Sequence, residues 1–302
     1  MRKNIFIIIV IFVSLSVQGQ QDPHYTQYMY NMNIINPAYA GTQDGLVLSF
    51  LARTQWVGLK KSPRTLTLSA QAPVGKNVGL GVSLIADRIG PLSEENIYAD
   101  FSYKIKIGDQ TNLAFGLKAG ATFLSAPLAF LNTVNSGDIA FQNNLNRVTP
   151  NFGFETYYYS DNYYLGFALP NLLKTVHFER KSGVISKAVE EIHYFFTGGY
   201  VFDMKNEIKF KPSFLVKAAV GAPISIDYSA NILFQDNIEF GLSVRYDDSV
   251  SVIFSLNITE KLRMGYAYDH TLTNLGNYNS GSHEILMLFN FQPKESKSVR
   301  TF

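Results

Sequence analysis

The stretch PISIDYSANILF, residues 223–234, decides the fold of this chain. Large apolar side chains such as Ile226 and Tyr228 occupy every second position, and Ser225, Asp227 and Ser229 lie between them. This period-two alternation predicts a β-strand with one apolar and one polar face. Its length of about ten residues is typical of a tilted strand that crosses a membrane.

The same alternation recurs along most of the chain after Leu46, for example in 97–107, where Asp100 and Lys104 belong to the polar set. We therefore predict about fourteen strands. They cover residues 46–56, 64–73, 78–88, 95–107, 111–122, 149–160, 162–169, 191–203, 206–218, 223–234, 237–247, 249–258, 261–270 and 282–292.

The connections between these strands fall into two classes. Every second one is tight and rich in Gly, Asp or Asn, as at 74–77, 108–110 and 235–236, whereas the others include the long 124–148 and 170–190. Short periplasmic turns and longer external loops are typical of outer-membrane barrels. The sequence thus predicts an all-β fold, a transmembrane antiparallel β-barrel over 46–292, followed by a periplasmic C-terminal tail, 293–302.

A soluble β-sandwich is the alternative, because its strands also alternate. A sandwich of this length usually divides into domains of about 100 residues, and the sequence has no internal repeat. Charged residues make up only 17% of the chain, which is low for a polar face in bulk water. Both observations favour the barrel.

The N-terminus predicts export. Arg2 and Lys3 precede the apolar run 5–17, and Gly19 offers a small-residue cleavage site. The run is shorter than the roughly 20 residues that span a bilayer, and no later stretch is long and apolar enough for a membrane helix. We predict a signal peptide, 1–19, and residence by strands in the outer membrane of a Gram-negative bacterium.

Composition argues against several functions. Lys and Arg number 26 against 24 Asp and Glu, so no basic excess indicates a nucleic-acid partner. The chain has no cysteine, and its five histidines lack metal-ligand spacing. We predict no catalytic, cofactor-binding or metal-binding residues and no enzymatic activity.

One cluster at the rim, Asp247, Asp248, Asp269 and His270, could activate water in a hydrolase, although water-solvated rim residues are the simpler interpretation.

The polar faces of the predicted strands carry both signs of charge, with a modest basic surplus. These charges would line the bore and pair with one another or with an inserted segment. They are Arg53, Asp100, Lys104, Lys106, Lys118, Glu155, Lys209, Lys211, Lys217, Asp227, Glu239, Arg245 and Arg263. Gly79 and Gly81 lie in a strand pattern, where small residues relieve crowding on the inner wall.

The N-terminal segment, residues 20–45, lacks strand alternation and is dense in Tyr, Asn, Gln and Pro. A disordered tail is the alternative, but such tails are usually poor in aromatics. We predict an ordered plug in the periplasmic mouth or lumen, with a turn fixed at Asn36-Pro37 because a residue before proline avoids helix. The candidate residues for plugging or partner contact are Asp22, Pro23, Tyr25, Gln27, Tyr28, Asn31, Asn36, Pro37, Tyr39 and Gly41.

These residues also carry a family resemblance. DPHYTQYMYN at 22–31 and NPAYAG at 36–41 resemble the opening of mature PorP/SprF-family proteins, which are membrane components of the type IX secretion system. RTQW at 53–56 with Pro63, and GLGV at 79–82, resemble later family blocks. The resemblance covers the mature chain in length and pattern, and its first seventy or so residues by motif.

The resemblance implies a non-enzymatic role in secretion or surface anchoring of a protein that carries a type IX C-terminal signal domain, such as an adhesin or a gliding protein. It leaves open a dedicated partner or a place in the core machine, in contact with periplasmic ring and lipoprotein components. The alternative is a channel for small or hydrophobic solutes, similar to long-chain fatty-acid transporters.

Overall fold

The fold is given by a computed structural model that describes residues 23–130, 143–173, 175–176, 189–190, 192–220 and 222–291. Its wall is one antiparallel sheet of fourteen long strands. These are β1 (Leu46–Thr54), β2 (Arg64–Pro73), β3 (Val78–Ile89), β4 (Leu92–Lys106), β5 (Asn112–Ala126), β6 (Leu145–Tyr159), β7 (Tyr163–Leu169), β8 (His193–Tyr200), β9 (Ile208–Ala219), β10 (Ser225–Phe234), β11 (Ile238–Arg245), β12 (Ser249–Asn257), β13 (Leu262–Thr271) and β14 (Ser282–Phe291).

The sheet closes on itself. β1 pairs with β2 and also with β14, so that Leu51 lies opposite both Thr67 and Leu286. β8 pairs with β7 on one side and with β9 on the other. A closed ring leaves no strand edge unpaired. The prediction of a transmembrane antiparallel barrel of about fourteen strands is confirmed.

Three neighbouring strands extend further than the sequence predicts. β4 begins at Leu92, β5 ends at Ala126 and β6 begins at Leu145, which shortens the predicted loop 124–148 to 127–144. Around Glu94 and Arg147 the side chains are half-buried or exposed on both faces. At these ends of β4 and β6 the two faces differ less in burial, and this weakens the alternation from which strand ends are predicted. The end of β5 is different, because Leu124 and Ala126 remain buried there.

Two short pairings accompany the long strands, the first within the barrel sheet and the second in a sheet of its own. Phe202–Asp203 pairs with β9, and Thr175–Val176 pairs with Val189–Glu190. Within the part of the chain that the structure describes, no helix has the length and apolar character needed to cross a membrane.

The two faces of the wall follow the alternation. In β10, β11 and β12 the side chains of Tyr228, Phe240 and Phe254 are exposed on the outside, whereas Asp227 and Glu239 are buried on the inside. The outer surface is therefore apolar, as a lipid-facing surface must be.

The inner face carries an apolar belt as well as charges. Leu51, Leu215, Ile253 and Leu286 point inward and are fully buried. They form one core cluster with side chains of the N-terminal segment, among them Tyr25, Tyr28, Met29, Ile34 and Ile35. The hydrophobic core of this barrel is therefore in the bore.

The N-terminal segment is described from Pro23 onward and is compact. A 3₁₀ turn, Tyr28–Tyr30, leads into the one-turn helix α1 (Met32–Ile35), and a second 3₁₀ turn, Pro37–Tyr39, follows. Asn36 between them is extended, with φ −142° and ψ 98°, and its Oδ1 accepts the N–H of Ala38 at 3.0 Å. An extended residue before proline and an Asn side chain that closes the next turn are what this dipeptide favours.

Candidate functional site

The N-terminal segment runs along the bore from one end to the other. The long-loop end of the barrel carries the connections 55–63, 127–144, 170–192 and 272–281, and the short-turn end carries tight turns such as 74–77 and 235–237. The carbonyl of Pro23 accepts a hydrogen bond from Lys217 Nζ at 3.1 Å, near the long-loop end of β9. Gly41 lies against Pro73 and Gly79, at the short-turn end.

Near the long-loop end the segment is held by an ionic cluster. Glu284 Oε2 and Oε1 accept the backbone N–H groups of Thr26 and Gln27 at 3.0 and 2.7 Å. Thr26 Oγ1 donates to Asp269 at 2.8 Å. Arg53 joins the cluster, because its guanidinium lies 2.6 Å from Asp269 Oδ2 and 3.1 Å from Glu284 Oε2. We call these three wall residues with Thr26 and Gln27 the ionic latch.

The ionic latch is almost fully buried, since the side chains of Arg53, Asp269 and Glu284 are at most 3% exposed. Burying a charge is costly unless it is paired and hydrogen-bonded. Here two carboxylates share one guanidinium, and the remaining oxygen lone pairs are used by the Thr26 hydroxyl and two backbone N–H groups. The wall charges therefore need the segment for full pairing, and the segment needs them for its orientation.

The middle of the segment bonds to strands around the ring. Tyr30 donates its hydroxyl proton to Glu239 on β11, and Tyr28 donates to Ser213 on β9. Asn31 Nδ2 donates to Thr67 Oγ1 on β2 at 2.9 Å. Two further bonds reach β4 and β5. They are Asn33 Nδ2 to Asp100 Oδ2 at 3.0 Å and Lys118 Nζ to the carbonyl of Ile34 at 3.1 Å.

At the short-turn end the segment is held by ring packing, a hydrogen bond and close backbone contacts rather than by ion pairs. Tyr39 packs edge-on against Tyr157 of β6, with ring centroids 5.5 Å apart. The N–H of Gly41 donates to Gln71 Oε1 at 3.0 Å. Gly41 has φ +67°, in the left-handed region that favours glycine, and a Cβ on it would be 2.5 Å from the Cα of Gly79.

Wall glycines make room for the segment. A Cβ on Gly79 would be 2.1 Å from the carbonyl oxygen of Ala40, and one on Gly116 would be 2.3 Å from the nitrogen of Ala38. One on Gly265 would be 2.2 Å from Gln27 Oε1. The expectation that Gly79 relieves crowding on the inner wall is confirmed, and the crowding comes from the N-terminal segment.

A cavity of about 650 Å³ lies at the long-loop end, above the ionic latch. We call it the vestibule. Its lining includes Pro23, His24, Trp56, Ser225, Tyr246 and Asp247. Burial and the positive charges of Lys217 and Arg245 lower the pKa of His24 well below its usual value, so the ring is neutral at neutral pH.

The residues that the sequence singled out are spread along the bore rather than gathered at one point. Asp22 lies outside the described residues, and Pro23 is half-buried beside the vestibule. The others are buried, and three of them belong to apolar clusters, Tyr25 and Tyr28 to one and Tyr39 to another. Buried side chains such as that of Tyr28 are not accessible to a protein partner in this state. The buried set is Tyr25, Gln27, Tyr28, Asn31, Asn36, Pro37, Tyr39 and Gly41.

The inward-facing charges follow the sequence prediction closely. All of those named are buried except Lys104, which is half-buried, and Lys106, which is exposed near a short turn. Sequence reasoning missed Glu284, although the alternation around Ile285 and Leu286 would place it inside. Asp269, which the sequence places at the rim, belongs to the ionic latch.

The rim cluster does not form a catalytic group. Asp269 is inside the bore, paired with Arg53, and His270 is exposed on the opposite face of β13. Asp248 pairs with Arg245 at 3.1 Å. Among the described residues, no three His, Asp or Glu side chains are arranged to hold a metal ion.

Comparison with known families gives one match that spans most of the chain. The model of the type IX secretion system membrane protein PorP/SprF matches residues 17–289. Among curated proteins, none matches this sequence at a significant level.

Solved structures with a similar fold are outer-membrane barrels of low sequence identity. Omp33 of Acinetobacter baumannii is 9% identical, with 83% of this chain and 100% of that chain covered and a TM-score of 0.47. The monoaromatic hydrocarbon channel CymD is 13% identical, with coverages of 91% and 95% and a TM-score of 0.48. The toluene transporter TbuX of Ralstonia pickettii is 10% identical, with coverages of 91% and 96% and a TM-score of 0.48.

Proposed function

Because this chain belongs to the PorP/SprF family of type IX secretion system membrane proteins, we propose that it assists the secretion or surface anchoring of a partner protein, such as an adhesin or a gliding protein, without bond chemistry. It is an outer-membrane β-barrel. We further propose that the N-terminal segment works as a plug that closes the bore, after cleavage of a signal peptide, 1–19.

The contacts between the N-terminal segment and the wall support a closed bore. Hydrogen bonds from Thr26 to Gly41 reach β1, β2, β4, β5, β6, β9, β11, β13 and β14. Leu51, Leu215, Ile253 and Leu286 would face water in an empty bore, and burying an aliphatic side chain is worth about 1.5–3 kcal/mol. A wall built in this way favours a filled bore over an open one.

The partner would bind on the external side. Longer loops of outer-membrane barrels are external, so the long-loop end faces the cell surface. We propose that these loops contact a secreted protein with a type IX C-terminal signal domain, and that the short-turn end is available to periplasmic ring or lipoprotein components. A channel for small or hydrophobic solutes is the rival function, and it requires a passage that the segment leaves open.

Planar-bilayer conductance together with partner export tests this function. We expect the full mature barrel to be closed. Deletion of Asp22–Asn33 removes the ionic latch contacts of Thr26 and Gln27 and the bond of Tyr30 to Glu239. The deleted barrel should conduct ions or lose export of its partner, with assembly verified by heat-modifiable gel mobility.

A deletion of equal length in the long-loop region, 131–142, is the matched control, and the bore should stay closed in it. If the variant lacking Asp22–Asn33 assembles, conducts no more than the full chain and exports the partner normally, the plug role is wrong. A full chain that conducts steadily would favour the solute channel instead.

A further inference from the structure

We propose that the vestibule is a carbohydrate-binding site that takes a neutral sugar chain at the external, long-loop end of the barrel. The site is independent of the plug role and of the protein partner, and it shares with the proposed function only the external position of the long-loop end. Its ligand is defined by its chemistry. The hydroxyl groups of a sugar need hydrogen-bond partners, its C–H faces pack on aromatic rings, and it carries no net charge.

Trp56 is held beside the vestibule in a backbone conformation that a bulky residue rarely adopts. Its φ of +48° lies in the left-handed region, and strain of this kind is typical of ligand-contacting positions. The N–H of Trp56 donates to Ser282 Oγ at 3.2 Å, and the N–H of Val57 donates to the carbonyl of Gly281 at 2.8 Å. The loop 55–63 is thereby fixed to the loop 272–281, and Trp56 lines the vestibule.

A second aromatic side chain lines the vestibule from another part of the barrel wall. Tyr246 follows β11, and three strands separate β11 from β1, which precedes Trp56. The side chain of Tyr246 is 72% exposed, so an apolar face that covers its ring removes a large area from water. The cavity volume of about 650 Å³ is within the range of small-ligand sites. Two aromatic side chains in such a cavity suit a ligand with apolar faces.

Polar side chains in the same lining retain unused hydrogen-bonding groups. Ser225 is 9% exposed, and its Oγ has no partner among the described residues. A buried polar atom costs free energy unless it is hydrogen-bonded. Gln55 and Asp247 also line the vestibule, and neither side chain bonds to another described residue. A hydroxyl, an amide and a carboxylate together donate and accept, as the hydroxyl groups of a sugar require.

The charges of the lining argue against an anionic ligand. Both arginines of the described lining are already paired, Arg53 in the ionic latch and Arg245 with Asp227 and Asp248. A carboxylate or phosphate ligand would need an unpaired guanidinium or ammonium group. A wholly apolar ligand would leave the hydroxyl of Ser225 without a partner. A neutral, hydroxyl-rich ligand avoids both costs.

The fluorescence of Trp56, the only tryptophan of the chain, measures binding to the full mature barrel in detergent. The neutral probes are maltohexaose and cellohexaose, together with the neutral polysaccharide released from the cell surface and the neutral glycans released from secreted proteins. Hexagalacturonate is the acidic counterpart. We expect a saturable change in emission with at least one neutral probe and none with hexagalacturonate. Titration calorimetry with the same probes gives the dissociation constant.

Variants connect the binding to the vestibule. Tyr246→Ala removes one ring and keeps the reporter, and the affinity for the bound probe should fall about tenfold. Tyr278→Ala is the matched control, because it removes a tyrosine of similar exposure that is not in the lining, and the affinity should be unchanged. Ser225→Ala should weaken binding about threefold through the loss of one hydrogen bond. Trp56→Leu, followed by calorimetry, should bind more weakly than Tyr246→Ala.

Three outcomes would each overturn the proposal. They are the absence of saturable binding with every neutral probe, tighter binding of hexagalacturonate than of any neutral probe, and equal affinities of Tyr246→Ala and Tyr278→Ala. Binding of the cell-surface polysaccharide or of the glycans from secreted proteins supports the site and identifies the source of its ligand.

These outcomes separate the inference from the proposed function. If Tyr246→Ala weakens sugar binding but deletion of Asp22–Asn33 leaves conductance and export unchanged, the carbohydrate site holds and the plug role is wrong. If the deletion behaves as proposed and no neutral probe binds, only the carbohydrate site is wrong.

Discussion

The two ends of the N-terminal segment are held in the bore by different means. At the long-loop end, the ionic latch binds Thr26 and Gln27 through Arg53, Asp269 and Glu284. At the short-turn end, the backbone from Ala38 to Gly41 approaches the wall so closely that glycines are required opposite it. The long-loop end is held by ionic contacts, and the short-turn end is held by close packing against wall glycines that have no Cβ.

The difference indicates which end can respond to a partner. An ionic contact can be exchanged for another ionic contact without rebuilding the wall, because a buried charge needs a paired and hydrogen-bonded partner but not one particular chain segment. A close backbone contact has no such substitute, since overlapping atoms must move. We therefore expect the long-loop end to be the adjustable end and the short-turn end to be the fixed one.

Replacement of Arg53 by Met should have the largest effect. It keeps much of the side-chain volume but leaves Asp269 and Glu284 buried with like charges and no guanidinium between them. Removing one partner of a buried ion pair costs about 3–5 kcal/mol. Urea unfolding in lipid vesicles measures this cost, and Trp56, the only tryptophan of the chain, reports on the long-loop end.

Arg64→Met is the matched control, because Arg64 begins β2 near the same end and is exposed. It should change the free energy of unfolding by less than about 0.5 kcal/mol. A cost for Arg53→Met as small as that of the control would mean that the ionic latch does not hold the segment.

Substitution of Ala for Gly79 should have the next largest effect, at the fixed end. The added methyl group would overlap the carbonyl of Ala40, which is backbone and cannot rotate away. Overpacking of this kind costs about 1–3 kcal/mol. In Gly75→Ala, in the adjacent turn, a Cβ has nothing within 4 Å, and stability should be unchanged. Equal stability of the two variants would show that the short-turn end is not tightly packed.

The sequence predicts the wall better than it predicts the bore. Alternation in stretches such as 223–234 depends on which side of the wall meets lipid, and that environment is the same for every strand, so the fourteen strands and their faces could be predicted. The sequence does not predict that the inward-facing Leu51, Leu215, Ile253 and Leu286 form a core with the N-terminal segment. A local pattern gives the face of a residue but not what fills the space opposite it.

The same limit applies to the ionic latch. Arg53 was expected inside, but its partners Asp269 and Glu284 are more than 200 residues away along the chain, and their convergence depends on barrel closure between β1 and β14. The composition of 20–42 gave the signal that the segment is ordered. Its direction through the bore needed the contacts of Pro23 and Gly41.

The smallest effect should come from the middle of the segment, where one tyrosine hydroxyl donates to a carboxylate and another donates to a neutral hydroxyl. Tyr30→Phe removes a hydroxyl that donates to Glu239, but this carboxylate also accepts from Asn231, Ser255 and Arg263. Because Glu239 stays paired, the loss should be about 1 kcal/mol rather than the larger cost of an orphaned charge. Tyr28→Phe is the neutral counterpart, since its hydroxyl donates to Ser213 Oγ at 3.2 Å, and about 0.5 kcal/mol is expected. Both rings keep their apolar contacts, so the comparison by urea unfolding isolates the hydroxyl groups. If Tyr28→Phe costs more than Tyr30→Phe, the carboxylate of Glu239 holds the segment no more strongly than the neutral hydroxyl of Ser213 does, and the boundary between the adjustable and the fixed part lies nearer to the long-loop end.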